Sequence, residues 1–255
     1  MHSIAQMLDP AGWLAVLASG WGKLDSPEFW LAFLKIVWIN ILLSGDNAVV
    51  IALACRGLPA RQRAWGMTLG AGVAVLLRVV FTGVVASLML LPYLKIVGGL
   101  ALLYIAAKLL VPEPPDKGHG EAAEQLWRAV RIVAVADIIM SLDNVIAIAV
   151  AAAGNMALLV LGLAVSVPLI VAGAALIMVL LDRFPVLIWA GAALLGWIAG
   201  QVITTDAVIE GWLVHAYSVS TARTVEHAVA AAGAVLVLIV GGLWRRARAP
   251  RESQV

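Results

Sequence analysis

Charged residues are scarce in this sequence. Only 13% of its 255 residues are Asp, Glu, Lys or Arg and 63% are apolar, whereas about a quarter of a typical soluble domain is charged. With a mean hydropathy of +1.02, the apolar residues outnumber the positions that a water-soluble fold buries. The net charge of +2 is too small to favour nucleic-acid binding. The composition predicts an integral membrane protein whose surroundings are the lipid bilayer and not nucleic acid.

Cysteine and nucleotide-binding motifs are also lacking. Cys55 is the single cysteine, which excludes a disulfide framework and a metal cluster held by several thiolates. The sequence has no Gly-x4-Gly-Lys-Ser/Thr phosphate loop, and it gives no indication of an enzyme or of a tightly bound cofactor. The N-terminus has no basic region before its first apolar stretch. Residues 1–28 are therefore expected to be an extracytoplasmic N-terminal segment with a short interfacial helix.

Long apolar runs, in contrast, are abundant. A membrane-spanning helix needs about 20 mostly apolar residues, and seven stretches qualify: 29–55, 65–91, 93–111, 126–153, 156–181, 186–203 and 228–244. They predict an all-α, polytopic membrane helix bundle. Its expected parts are a first three-span repeat (29–111), a cytoplasmic linker (112–125), a second three-span repeat (126–203), an extracytoplasmic loop (204–227), a seventh span (228–245) and a basic cytoplasmic tail (246–255).

Basic residues are distributed unevenly between the two sides of this bundle. Alternation through seven spans places twelve Lys and Arg residues on the side of the C-terminus and four on the other side. By the positive-inside rule, the N-terminus is expected outside and the C-terminus in the cytoplasm of a bacterial cytoplasmic (inner) membrane. The twelve are Arg56, Arg61, Arg63, Lys108, Lys117, Arg128, Arg131, Arg183, Arg245, Arg246, Arg248 and Arg251.

The sequence also repeats itself. The segment NILLSGDNAVVIA, which begins at residue 40, aligns without a gap with DIIMSLDNVIAIA, which begins at residue 137. Similar apolar composition explains the matched Ala and Ile residues, but it does not explain a common Ser-x-Asp-Asn. Because each half has an odd number of spans, the halves are predicted to lie in opposite orientations, as in many secondary transporters.

The two motif carboxylates lie near the middle of their spans. A central Asp costs roughly 2.5–3.5 kcal/mol on insertion, so Asp46 and Asp143 are expected to face the bundle interior or a watery cavity. Arg78 is the only basic residue at comparable depth. It is expected to form a buried salt bridge or to line the lumen, and it neutralises one carboxylate but not two. A bound cation is therefore favoured over a purely structural ion pair.

Helical spacing brings the polar residues of each motif together. Asn40 and Asn47 are seven residues apart, as are Asp137 and Asn144, so each pair shares one helix face. The motif aspartates are offset from that face, and local unwinding at Ser-Gly-Asp would turn them inward. Gly45 makes unwinding easy in the first half, while Leu142 makes it harder in the second.

The available ligand atoms indicate the class of ion. Carboxylate, amide and hydroxyl oxygens suit magnesium, calcium or manganese, whereas copper(I) and zinc prefer sulfur or imidazole. No His or Cys lies near the motifs. The residues alone leave the choice among the three hard cations open.

The doubled motif resembles the TerC family of membrane proteins, and within it the YjbE-type branch, over about residues 29–245. This resemblance implies metal homeostasis and manganese export, with Mn²⁺ as the transported ion. It implies metal-binding roles for Asp46, Asn47, Asp137, Asp143 and Asn144. Other branches often have Glu at the position of Asn40, so we include Asn40 in the candidate ligand set, with one negative charge fewer. Asp206 also matches a recurrent family position, but a solvated loop residue is expected there.

Export of a divalent cation requires an energy source. Moving a +2 ion outward against 100 mV costs about 4.6 kcal/mol, and the sequence lacks a nucleotide-binding motif. A proton-coupled antiporter is therefore predicted, with buried Asp137 as the candidate proton carrier. Two alternatives remain: an exporter of small organic solutes such as amino acids, for which Arg78 would be prominent, and a non-transport membrane scaffold in metal homeostasis. The oligomeric state is not indicated.

Overall fold

The computed structural model describes residues 26–88, 92–111, 119–151, 156–216 and 219–248. Within these ranges, the side chains of residues 81–88, 119–122, 142–151, 156, 157, 159, 214–216, 219 and 220 are not described. The described residues form helices and no strands, which confirms the all-α class. The helices are α1 (Pro27–Leu43), α2 (Gly45–Cys55), α3 (Ala60–Leu88), α4 (Leu94–Leu109), α5 (His119–Ala151), α6 (Met156–Arg183), α7 (Val186–Thr204), α8 (Ala207–Ala216) and α9 (Val219–Arg248).

Four of the described helices are long and apolar enough to cross a membrane. The qualifying segments are Ala60–Val80 in α3, Val160–Arg183 in α6, Val186–Thr204 in α7 and Thr221–Arg248 in α9. Helices α1 and α2 qualify together as one bent span. On α1, Leu31, Leu34, Trp38 and Leu42 are each at least 60% exposed, and their spacing of three or four residues places them on one face. An apolar face of this kind is suited to lipid contact.

The first span is broken at its motif. Helix α1 ends at Leu43, Ser44 leaves the helical conformation, and α2 begins at Gly45 after a bend of 52°. Helix α5, in contrast, runs without a break through the second motif. The break thus lies in the half that has Gly45 at this position, and the half that has Leu142 is continuous, as the sequence predicted.

Two segments expected to be loops are helical. Helix α5 begins at His119, seven residues before the predicted start of the fourth span, because the segment GEAAEQL consists mostly of strong helix formers. Helices α8 and α9 occupy most of the described part of the predicted loop 204–227. Helix α8 has only ten residues, too few for a span, and the polar residues Arg223 and Glu226 of α9 precede the apolar run 228–244 from which the seventh span was predicted.

Packing between the helices follows the repeat. The first half is α1 to α4 and the second is α5 to α7. Helices α1 and α2 pack on α6 as α5 packs on α3, and α2 meets α7 as α5 meets α4. Corresponding helices also contact each other, because α2 packs on α5, α3 on α6 and α4 on α7. The contacts of α2 with α3 and of α6 with α7 have no equally strong counterpart in the other half, so the correspondence is incomplete. Helix α9 lies outside this pattern, against α7 and α4.

Named contacts define the relative directions of the helices. Helix α3 runs parallel to α5, since Gly66 lies against Leu126 and Arg78 contacts Asp137 further along both helices. The first span runs the opposite way to α3, because Cys55, at its C-terminal end, lies against Gly66. The first and fourth spans are therefore antiparallel.

The other two pairs of corresponding helices are antiparallel as well. Arg63, near the start of α3, forms a 2.8 Å ion pair with Asp182, near the end of α6. The start of α4 meets the end of α7, since Lys95 contacts Asp206 and Gly99 packs on Ala199.

Basic residues gather at one end of the bundle. Arg56, Lys108 and Arg128 line one small cavity there, and Arg56 and Arg245 line another. The guanidinium of Arg63 also reaches the backbone carbonyl of Arg56. These residues come from the set that the charge distribution assigned to the cytoplasm.

Candidate cation site

A buried polar centre lies where the break of the first span faces α3 and α5. Its middle is the guanidinium of Arg78, which is only 2% exposed. Nη1 donates to Asn40 Oδ1 and to Ser44 Oγ at 3.1 Å. Nε and Nη2 donate to Ser141 Oγ at 3.2 and 3.1 Å. Arg78 therefore connects the two copies of the motif.

Asp137 balances the charge of Arg78. Its Oδ1 accepts hydrogen bonds from Arg78 Nη2 at 2.8 Å and from Asn47 Nδ2 at 3.1 Å. The side chain is 3% exposed, and its Oδ2 has no hydrogen-bond partner among the described residues. The expectation that Arg78 forms a buried salt bridge is confirmed, and the carboxylate retains an acceptor oxygen for a further ligand.

Asn40 and Ser44 are positioned by the end of α1. Both are almost fully buried, and Ser44 Oγ donates to Asn40 Oδ1 at 3.3 Å. The amide nitrogen of Asn40 has no hydrogen-bond partner in the described part of the chain. Residue 40 is thus a neutral acceptor for Arg78.

Asp46 lies at the edge of this centre. It is partly buried in the first turn of α2, where the positive end of the helix dipole favours a carboxylate. Its Oδ1 accepts a hydrogen bond from the backbone N–H of Asn47 at 2.8 Å. Asp46 is close enough to Arg78 and Asp137 to interact with both electrostatically.

The structure therefore brings together four of the six predicted ligands: Asn40, Asp46, Asn47 and Asp137. Asp143 and Asn144 lie on α5, six and seven residues beyond Asp137, but their side chains are outside the described residues. Among the described residues, no group of three or more His, Cys, Asp or Glu side chains could hold a metal ion. A metal site would thus require Asp143 or amide and hydroxyl oxygens in addition to the described carboxylates.

The sequence analysis did not include Ser44 and Ser141 in the site. Their role follows from Arg78, because both hydroxyls accept hydrogen bonds from its guanidinium. The Ser of each Ser-x-Asp-Asn was the available signal, since it is one of three identical polar positions in the repeat.

The expectation for Asp206 is wrong. Asp206 is 1% exposed. Its Oδ1 accepts hydrogen bonds from the backbone N–H groups of Tyr93 at 3.2 Å and Val208 at 3.1 Å, and its Oδ2 accepts from that of Lys95 at 3.1 Å. One carboxylate therefore caps the N-termini of α4 and α8, and it also supports Tyr93 in its left-handed conformation (φ 67°).

Long apolar helices around a buried, charged centre define a polytopic integral membrane protein. The chain belongs to the integral membrane protein TerC family, whose model matches residues 25–249. It is 44% identical to the uncharacterized membrane protein YjbE of Bacillus subtilis over 179 residues, which cover 70% of this chain and 82% of YjbE.

Two further relatives are more distant. The uncharacterized membrane protein YceF of Bacillus subtilis is 28% identical over 189 residues, which cover 70% of this chain and 73% of YceF. The UPF0053 inner membrane protein YoaE of Escherichia coli K12 is 28% identical over 142 residues, or 48% of this chain and 27% of YoaE. No solved structure matches the chain.

Proposed function

We propose that this protein is a secondary transporter, not an enzyme, which exports a hard divalent cation across the bacterial cytoplasmic membrane in exchange for protons. Mn²⁺ is the proposed cargo. The observation that carries the proposal is Asp137, a buried carboxylate whose Oδ2 has no hydrogen-bond partner among the described residues, in a centre of amide and hydroxyl groups beside a helix break. Oxygen donors of this kind suit hard cations.

The formal charges favour a divalent cation. Asp46, Asp137 and Asp143, together with Arg78, carry a net charge of −2 when all are ionised. A bound Mn²⁺ would neutralise this set, whereas a zwitterionic amino acid would leave it unchanged. Burial of uncompensated charge is costly, so charge balance supports the metal over the organic solute.

In this proposal, Arg78 is a tethered cation that occupies the centre when no metal is bound. It donates to Asp137 Oδ1, the same carboxylate that would coordinate the metal. An arriving divalent cation would repel the guanidinium and compete with it for Asp137. Metal binding and displacement of Arg78 would then be one event, which links occupancy of the site to a change in helix packing.

The directions of the helices support two inverted halves. Corresponding helices contact each other and run antiparallel, as Cys55–Gly66, Arg63–Asp182 and Lys95–Asp206 indicate. We infer seven spans, formed by α1/α2, α3, α4, α5, α6, α7 and α9. Rocking of inverted halves around a central site is a common route to alternating access.

The basic end of the bundle supports the proposed orientation. Arg56, Lys108, Arg128 and Arg245 gather there, and cytoplasmic ends of membrane proteins are enriched in such residues. The C-terminus would then be cytoplasmic and the N-terminus extracytoplasmic. With the outside positive, export of Mn²⁺ requires about 4.6 kcal/mol at 100 mV. Protons moving inward supply it, with Asp137 as their proposed carrier.

A second candidate function follows from the prominence of Arg78. A mixed-charge centre with a guanidinium is also suited to the carboxylate of an amino acid, so an exporter of small organic solutes is the alternative. The two candidate functions differ in how the flux of substrate depends on the motif aspartates. Asp46→Asn should abolish metal flux in the first case, whereas amino-acid flux should depend mainly on Arg78 in the second.

The test is metal flux in reconstituted vesicles with an imposed proton gradient. Purified wild-type protein, Asp46→Asn and Asp143→Asn are compared, with Mn²⁺ and a panel of amino acids as substrates. Asp182→Asn is the matched control, because it is the same substitution at an exposed carboxylate far from Arg78. We expect wild type and Asp182→Asn to exchange Mn²⁺ for protons, and both motif variants to lose the flux at normal reconstitution yield. Retained Mn²⁺ flux in both motif variants would exclude the metal site.

A further inference from the structure

A second polar feature lies at the basic end of the bundle, remote from Arg78. Arg245, in the last turn of α9, lies over the ring of Trp189 on α7, with 5.6 Å from its guanidinium carbon to the ring centroid. Two cavities of about 540 and 320 Å³ share these two residues. Arg246 lines the larger cavity and Arg56 the smaller one.

Arg56 and Arg245 line the same cavity beside Trp189, although they come from the ends of different helices. Among the described residues, none of Arg56, Arg245 and Arg246 has an acidic partner within ion-pair distance, since the nearby Asp182 is paired with Arg63. Burial lowers the pKa of the Arg56 guanidinium and repulsion from Arg245 lowers it further, and attraction by Asp182 offsets these effects only in part. Like charges held together at a membrane surface favour an anion as their common partner.

Below the arginines, the cavity walls are apolar. Leu238, Ile239 and Leu243 of α9 line the larger cavity, and Val186 and Ile188 line the smaller one. Ile239 and Leu243 are more than half exposed at the outer face of the bundle. The groove is therefore cationic at one end and apolar along its length, which a free inorganic anion would not require.

We propose that this groove is a binding site for an anionic phospholipid. The phosphodiester would lie between Arg56 and Arg245, and an acyl chain would follow Leu238 and Ile239 along α9. Basic pockets between transmembrane helices bind anionic headgroups in this way. The site lies between the end of α2 and the end of α9. A bound lipid would therefore connect α2, which carries the first motif, to α9, which lies outside the repeat.

The test uses the purified full-length protein in a zwitterionic detergent. Phosphatidylglycerol or phosphatidylcholine is titrated, bound lipid is counted by native mass spectrometry, and the thermal midpoint is followed. Arg56→Gln/Arg245→Gln is compared with Arg248→Gln, a control that removes a charge from the same helix end outside both cavities. We expect at least tenfold weaker phosphatidylglycerol binding in the double variant and unchanged binding in the control.

Three outcomes would overturn the proposal. Equal retention of phosphatidylcholine would show that no anionic headgroup is recognised. Equal binding of glycerophosphoglycerol, which has no acyl chains, would indicate a site for a free phosphodiester. Loss of lipid binding on dimerisation would indicate that a second copy of the chain occupies the groove. If the double variant is poorly folded, Arg245→Gln alone is used, with the same control and the same tenfold criterion.

Discussion

Replacing Arg78 with Gln is the sharpest test of the proposed tethered cation. The substitution removes the positive charge but keeps an amide near the position of Nε, which donates to Ser141 Oγ. If Arg78 occupies the cation's place, Arg78→Gln should bind Mn²⁺ more tightly than wild type. It should also lose coupling, since metal binding would no longer displace a charged side chain.

The size of the effect follows from the Arg78–Asp137 pair. An N–O distance of 2.8 Å places the charge centres about 4 Å apart, which corresponds to about 4 kcal/mol at an effective dielectric constant of 20. Removing one partner of a buried pair typically destabilises a protein by about 3–5 kcal/mol. Suppose that one third of the Arg78–Asp137 attraction is lost when the metal binds and is not replaced by new interactions of Arg78. Removing Arg78 then strengthens Mn²⁺ binding at least about tenfold.

The assay measures Mn²⁺ affinity by calorimetry on detergent-solubilised protein and proton-driven flux in vesicles. Arg78→Gln leaves Asp137 without its cation, so folding is checked by thermal denaturation. Arg78→Gln/Asp137→Asn serves as the charge-balanced control. Tighter binding with downhill but no uphill flux supports the tethered cation. Binding weakened as much as in Asp46→Asn, in a folded protein, would refute it and assign Arg78 a supporting role.

Two further predictions concern stability. Asp206→Ala removes the acceptor of three backbone N–H groups at two helix ends and should lower the free energy of unfolding by about 1–3 kcal/mol. Asp206→Asn should lose less, and equal melting of Asp206→Ala and wild type would contradict the capping role. Gly200→Ala should destabilise by about 1–3 kcal/mol, because its Cβ would lie 2.6 Å from the carbonyl oxygen of Val229 on α9. Gly72→Ala, whose Cβ meets nothing within 4 Å, is the control and should not destabilise; similar losses in both would remove the packing argument.

The sequence predicted the helices well where hydropathy alone decides. Apart from the start of α5, which lies seven residues earlier than predicted, spans two to six begin and end within five residues of the helices observed for α3 to α7, because long apolar runs have no alternative in lipid. The helices in the predicted loop 204–227 were missed because α8 has only ten residues, too few for a span, and the first turns of α9 are polar.

The sequence predicted which types of residue form the buried polar centre around Arg78, but not how they are arranged. A single basic residue at the depth of the carboxylates made an ion pair of Arg78 predictable. Arg78 pairs with Asp137 and not with Asp46 because α3 and α5 pack in parallel. One sequence does not reveal this packing. Asp206 was misjudged because a residue just beyond an apolar run is expected to be solvated, and its capping contacts connect positions more than 110 residues apart.

The unequal halves of the repeat lead to a last prediction. Both motifs contain Ser-x-Asp-Asn, but only the first span bends, and the position between Ser and Asp is Gly45 in one half and Leu142 in the other. Nothing lies within 4 Å of a Cβ at residue 45, so a larger side chain is not excluded there by its immediate neighbours. Gly disfavours helix by about 0.8–1.0 kcal/mol relative to Ala, and Leu does so much less.

Gly45→Leu should therefore favour a continuous first helix and rotate Asp46 and Asn47 away from Asp137. We expect a folded protein with Mn²⁺ affinity and flux reduced at least tenfold, and Gly45→Ala should show a similar loss, because Ala favours helix at least as strongly as Leu. Leu142→Gly tests the reverse, since a break in α5 should disturb the second half without affecting the bend at Ser44. If Gly45→Leu transports normally, the bend is imposed by the burial of α2 among α5, α6 and α7, and the glycine only tolerates it.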